Sequence, residues 1–206
     1  RLPPLIREFR AAAQNVELLL VELETPEQVG ALKEGKIDVG FGHIRFEDEA
    51  VRRIVLREER LVAAIPAIHP MAAGEAAVSL TDLARQPLIL YPRQPSPSFA
   101  DQVIRLFHDR GLEPRVSHEV REAQTALGLV AAEEGVTIVP EFMRKSHIDG
   151  VTYRDLIEPA ASPLIMSHRA GDHSPELQLM AAVIVRMYSK WGYHVPEGVT
   201  RLADPS

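Results

Sequence analysis

Two hydrophobic rhythms alternate along this chain, and that alternation limits the fold more than any other feature. Short, branched apolar runs at 16–21, 37–41, 88–91 and 136–139 read as strands. Between them, apolar residues return every three or four positions, which is the helical period. A first helix, opened by Pro3 and Pro4, puts Leu2, Ile6, Phe9 and Ala13 on one stripe. Another carries Ala123, Ala126, Leu127, Val130 and Ala131 on one face and is expected to end at Gly135. A final helix opens at Ser174-Pro175 and aligns Leu177, Met180, Ala181, Ile184, Met187, Tyr188 and Trp191 as core. Strands and helices in alternation predict an α/β architecture.

Local punctuation sharpens the boundaries. Thr25 suits an N-cap, Pro26 the first helical position, and Gln28 the reciprocal place in a capping box. That helix turns Val29 and Leu32 inward and stops at Gly35. Two separate strands are expected at 53–56 and 61–65, then a Pro/Gly/Ala-rich loop over 66–77. A stiff, proline-punctuated loop at 92–97 leads to Ser98, which caps a helix with Phe99, Val103, Leu106 and Phe107 on one face. Gly111 ends it, and further strands are expected at 115–120, 151–156 and 164–168.

Bulk chemistry excludes several function classes. With 206 residues, the chain can build one large domain or two lobes with real cores. It has no cysteine, so neither a disulfide framework nor a thiolate metal site is available, in keeping with a reducing cytoplasm. A net charge of −6 repels phosphate backbones, and no dense basic stripe offsets it. No apolar run reaches the roughly 18 residues that span a bilayer, so no membrane role is expected. The chain opens on Arg1 rather than Met and reads as a fragment or a processed product.

Catalytic signatures are missing from the pattern. There is no phosphate-binding loop and no nucleophile elbow. Gly40-Phe41-Gly42 lacks the third glycine of a dinucleotide fingerprint. His168 and His173 flank a turn at Ala170-Gly171 without the spacing of a helical zinc motif. Glu58-Glu59 and Glu133-Glu134 are neighbours in sequence, so their side chains diverge. The reading is a binding protein without metal or cofactor rather than an enzyme.

Several segments, taken in order, resemble the effector-binding domain of LysR-type transcription regulators. Leu32, Lys33, Glu34, Gly35, Ile37 and Asp38 match the family's most regular early passage. Ile68-His69-Pro70, Leu80-Thr81-Asp82-Leu83 and the stretch from Ala131 to Pro140 follow at the expected spacing. Tyr91-Pro92, Pro95, Pro97 and Phe99, then Gly111 to Pro114, then Glu119 to Glu122 with Gln124, are similar to regulators of catechol and benzoate degradation.

That resemblance implies a two-lobed, periplasmic-binding-protein-like (type II) fold with a double-crossover hinge. One lobe would take 1–86 and 165–206, the other 87–164. An N-terminal winged helix-turn-helix, absent from this chain, would reach promoter DNA in the cytoplasm. The domain would dimerise and the intact protein form a tetramer. The implied effector is a small carboxylate such as cis,cis-muconate, chloromuconate or benzoate, bound between the lobes.

Helix N-termini attract anions, so the starts near Thr25-Pro26 and Ser96 to Ser98 are candidate carboxylate sites. Motif position adds Ile54, Pro140 and Phe142 to the ligand residues and Arg121 to a second pocket. Ile54 stands where the family's muconate sensors place a threonine. Each residue also has a structural reading. Thr25 caps its helix, Phe142 packs a hinge, and Arg121 pairs with Glu119 or Glu122. A transporter's solute-binding protein, or an enzyme on the same scaffold, are the competing functions.

Overall fold

The computed structural model describes residues 2–204 as seven strands and seven α-helices, with two 3-10 turns. They fall into two compact units. Unit 1 comprises 1–57 and 163–206, and unit 2 comprises 58–162. The division expected from sequence drew these limits at 86 and 165.

Unit 1 holds α1 (Leu2–Ala12), α2 (Thr25–Lys33), β1 (Val39–Gly42), the first half of β2 (Val51–Pro66), most of β7 (Ala161–Arg169), α6 (Pro175–Lys190) and α7 (Glu197–Ala203). β7 lies between β1 and β2, and pairs antiparallel with β1 from Val39↔His168 to Gly42↔Ile165. Leu5, Phe9, Leu56, Met166, Met180, Ile184, Tyr188 and Val199 form its main core. The α6 stripe closes on β2 and β7 as expected, but α1 turns Leu5 and Phe9 inward, and Leu2, expected on its stripe, is 41% exposed. Val29, Leu32 and Val51 make a smaller cluster beneath α2.

Unit 2 holds the second half of β2, α3 (Leu80–Ala84), β3 (Pro87–Leu90), α4 (Phe99–His108), β4 (Arg115–Glu119), α5 (Ala123–Ala131), β5 (Thr137–Pro140) and β6 (Val151–Asp155). β2 pairs antiparallel with β5 on one side and β6 on the other. β3 pairs in parallel with β4, and a parallel bridge at Leu88↔Val136 joins β3 to β5. Leu80, Leu83, Leu88, Leu90, Val103, Phe107 and Ile138 fill its core. Mixed α/β architecture is therefore borne out, and β2 and β7 are the strands that run from one unit into the other.

Four local expectations change. The strands expected at 53–56 and 61–65 are one unbroken strand, β2, because charged residues at 57–60 still carry extended backbone. Segment 16–21 forms no strand among the described residues, with Leu19, Leu20 and Val21 78%, 63% and 54% exposed. α5 ends before Gly135. Glu133 (φ 66°) takes the left-handed position usually given to glycine, and Gly135 serves a close approach to Pro87 instead. Finally, α7 follows the helix expected to be last, and Trp191, the C-cap of α6, is only partly buried. No helix among the described residues is long and apolar enough to cross a membrane.

Candidate functional site

In unit 1, the start of α2 lies against the backbone of β1. The N-cap is Glu24, one residue before the expected Thr25, and its N–H donates to the Glu27 carboxylate at 2.9 Å. Glu24 and Glu27 thus do the work expected of Thr25 and Gln28, and Pro26 moves one place into the helix. Gln28 is freed for another task. Its Nε2 donates to the Leu23 carbonyl at 2.9 Å and the Phe41 carbonyl at 3.0 Å, tying the start of α2 to β1. Thr25 is 5% exposed. Its hydroxyl is not needed for capping and faces Gly42.

Ile54 lies on the unit 1 half of β2. A Cβ built on Gly198 of α7 would lie 3.3 Å from Ile54 Cγ1, so the isoleucine packs closely under α7. It belongs to the apolar cluster around Leu56 and Val199. That contact accounts for a branched apolar side chain where the resemblance expects a hydroxyl. A groove lined by Phe46, Asp48, Val51, Arg52 and Arg53 includes none of the candidate residues, Ile54 among them.

In unit 2, Ser96 and Ser98 converge on one carboxylate, and it belongs to the chain itself. Asp101 Oδ2 accepts from the Ser98 N–H at 2.9 Å, the Ser96 hydroxyl at 2.9 Å and the Ser98 hydroxyl at 3.2 Å. Ser98 Oγ in turn accepts from the Asp101 N–H at 3.2 Å, and Arg93 Nε lies 3.5 Å from Asp101 Oδ1. Ser98 therefore caps α4 as expected. The hydroxyl donors expected to meet a ligand are taken up by the helix's own acid. The amides of Phe99 and Ala100, the first two of the helix, are the donors left without an intrahelical acceptor.

Partial burial pushes the Asp101 carboxyl up, but hydrogen bonds from Ser98, Ser96 and Arg93 outweigh it and hold it below the usual carboxylate range. A carboxyl lowered by folding stabilises the native state above its unfolded pKa of about 3.9, and this is lost as pH falls through the folded value. Asp101→Ala is thus expected to cost about 1 kcal/mol at pH 7. The gap from the unsubstituted protein should narrow below about pH 4. Urea titrations at pH 7 and pH 3 check this, and a gap that widens in acid contradicts it.

The other candidates are dispersed over unit 2. Pro140 ends β5 and leads into the 3-10 turn Glu141–Lys145. Phe142 in that turn is 50% exposed. Arg121 is exposed between β4 and α5, with no ion pair to Glu119 or Glu122 among the described residues. Tyr91 packs edge-on to Phe99 at 5.5 Å between centroids. Burial, with a smaller effect from Tyr153, pushes its phenol up to about 12, so it stays a neutral donor. Among the described residues no His, Cys, Asp or Glu cluster is arranged to hold a metal ion.

Gln28, Gly40, Gly42 and Asp101 are the residues that local reading missed. Gln28 and Asp101 carried a signal, since each sits three residues after a capping residue type. The glycines carried one only as an apparent nucleotide motif.

The LysR substrate binding domain family model matches residues 1–188. The chain is 44% identical to the HTH-type transcriptional regulator CatR of Pseudomonas putida over 186 residues, covering 90% of this chain and 63% of CatR. It is 39% identical to the HTH-type transcriptional regulator BenM of Acinetobacter baylyi over 197 residues, covering 95% of this chain and 65% of BenM. It therefore spans under two thirds of the length of these relatives, which are transcriptional regulators rather than enzymes. A solved BenM effector binding domain with its effector benzoate superposes with a TM-score of 0.89 at 37% identity, covering 95% of this chain and 89% of that one. With its two α/β units and a family match over nine tenths of its length, this chain belongs to the LysR substrate-binding domains.

Proposed function

We propose that the chain is the ligand-sensing part of a LysR-type transcription regulator of aromatic-degradation genes. Its effector is a small carboxylate, either muconate-like or an aromatic acid, taken up between the two units. The observation that carries this reading is the combined likeness to CatR and to a BenM domain whose effector is benzoate. Thr25 supplies a hydroxyl to the carboxylate from unit 1. From unit 2, the first turn of α4 after Ser96 and Ser98 meets the far end of the ligand, with Pro140 and Phe142 beside it. Arg121 borders a second pocket. Pro26 and Ile54 withhold donors on the unit 1 side, which favours a ligand with a larger apolar part. Promoter DNA is reached through a winged helix-turn-helix outside residues 1–206. The intact protein is a cytoplasmic homo-oligomer, a dimer through this domain and a tetramer overall.

Calorimetric titration with cis,cis-muconate, chloromuconates, benzoate and a set of amino acids tests the reading. Saturable binding of a muconate or of benzoate is expected. Thr25→Ala should weaken it about tenfold, the weight of one hydrogen bond to a charged group, while Thr25→Ser keeps it. Binding of amino acids alone would overturn the effector class and favour a transporter's solute-binding protein.

A further inference from the structure

The Gly40-Phe41-Gly42 stretch, discounted as a nucleotide motif, has a different use. A Cβ added to Gly40 would lie 2.5 Å from Gln28 Oε1. One added to Gly42 would lie 3.1 Å from Thr25 Oγ1 and 3.8 Å from Gln28 Oε1. Thr25 and Gln28 are three apart on α2 and so share a face. Both lie against β1 where it has no side chains, and Gln28 Nε2 fastens them there through Leu23 and Phe41.

We infer that Gly42 and Gln28 are positioning residues, which fix the rotamer of Thr25 so that its hydroxyl is presented to the effector's carboxylate. This rests on the role proposed above for Thr25. A threonine places its hydroxyl and its methyl in different staggered positions, and a switch of rotamer exchanges them. At Gly42 the bare backbone leaves Oγ1 its place. A methyl there forces Oγ1 to retreat or the rotamer to switch. A binding group works only within about 0.5 Å of its productive position, so a retreat takes the hydroxyl toward the edge of that tolerance and weakens its bond, and a rotamer switch removes it from use. Gln28 acts on the other side of the same joint. It holds the chain just before Thr25 at a fixed distance from β1, through two carbonyls 18 residues apart in sequence. Neither residue has to touch the ligand.

A double-mutant cycle on the 206-residue chain, read by calorimetry with benzoate and with cis,cis-muconate, separates this from general packing. Gly42→Ala is expected to weaken binding about tenfold when Thr25 is present and less than about twofold in a Thr25→Ala background. Gln28→Met, of similar length but without hydrogen bonds, should behave like Gly42→Ala. Equal losses in both backgrounds would overturn the inference. So would an unchanged affinity in Gly42→Ala while Thr25→Ala weakens binding, and that result leaves the role of Thr25 standing. If Thr25→Ala changes neither affinity, the role of Thr25 falls and the inference falls with it. A second readout needs no ligand. Three-bond couplings to the Thr25 methyl should report a switched or averaged χ1 in Gly42→Ala and Gln28→Met. An unaltered χ1 in both would sink the inference even if neither acid bound.

Discussion

Gly135→Ala is expected to cost unit 2 about 3 kcal/mol or more and to lower its melting temperature by at least about 10 °C. The new methyl would lie 2.4 Å from the Pro87 carbonyl oxygen, 3.1 Å from its carbon and 3.3 Å from the Pro87 Cβ. Two of these atoms are backbone, and a proline ring fixes the φ of the residue that carries them, so little can give way. The same carbonyl accepts the Val136 N–H at 2.9 Å, and the Val136 carbonyl accepts the Ile89 N–H at 2.8 Å. Relieving the collision means parting β3 from β5 at their one bridge, Leu88↔Val136. Leu88, Leu90, Val136 and Ile138 lose packing together, since all four belong to one cluster. Gly111→Ala is the control. Its φ of 67° is positive, like the 157° of Gly135, but nothing lies near the added methyl, so it should cost only about 1 kcal/mol. Urea denaturation of both variants, followed by far-ultraviolet circular dichroism, makes the comparison. A loss for Gly135→Ala no larger than that for Gly111→Ala would show that the approach to Pro87 is not what the glycine is for.

The same glycine marks the border between what was legible in the sequence and what was not. A helix end near 131–135 could be read from local periodicity, but the reason for glycine at 135 lies 48 residues away at Pro87. Ser98 was readable because capping is settled within three residues. Thr25 was misassigned for the same kind of reason. Threonine is a favoured cap type and glutamate is not, while Glu27 and Gln28 are adjacent partners, so residue preference pointed to the wrong register and only the geometry corrects it. The run at 16–21 has strand residues, yet a strand is a pairing and no local pattern supplies the partner. Ile54 was legible as a departure from a family pattern, whereas its explanation required α7, a short helix with only one fully buried residue, Val199. Of the candidate site, the starts of α2 and α4 were legible. Asp101 stood in the capping-box position three residues after Ser98, but that Ser96 also turns its hydroxyl onto this acid was not legible, because the loop that carries Ser96 is not periodic.

Loss of the Arg53 guanidinium should be felt most strongly in unit 1. Arg53 sits on β2, and each of its three side-chain nitrogens donates one hydrogen bond. Nη1 donates to the Phe46 carbonyl at 2.7 Å, Nη2 to the Ile44 carbonyl at 2.8 Å and Nε to the Ser167 hydroxyl at 3.1 Å. One side chain therefore ties β2 to β7 and to the loop after β1. Burial lowers the guanidinium pKa from its usual value, a sign that the charge is partly removed from water. Its hydrogen bonds are correspondingly costly to lose, because the carbonyl of Ile44, a buried residue, is left without its donor. Arg53→Met keeps the stem and removes the three hydrogen bonds, for an expected cost of about 3 kcal/mol. Arg53→Lys should recover less than about half, since an ammonium cannot reach two carbonyls and a hydroxyl in a planar fork. The chain's single tryptophan, Trp191, packs against the main cluster of unit 1, so its fluorescence during urea denaturation reports on the correct unit. Hydrogen exchange should rise first at 43–50, the segment that the arginine holds. Full recovery by lysine would mean that charge alone, and not the shape of the fork, secures that loop to the sheet.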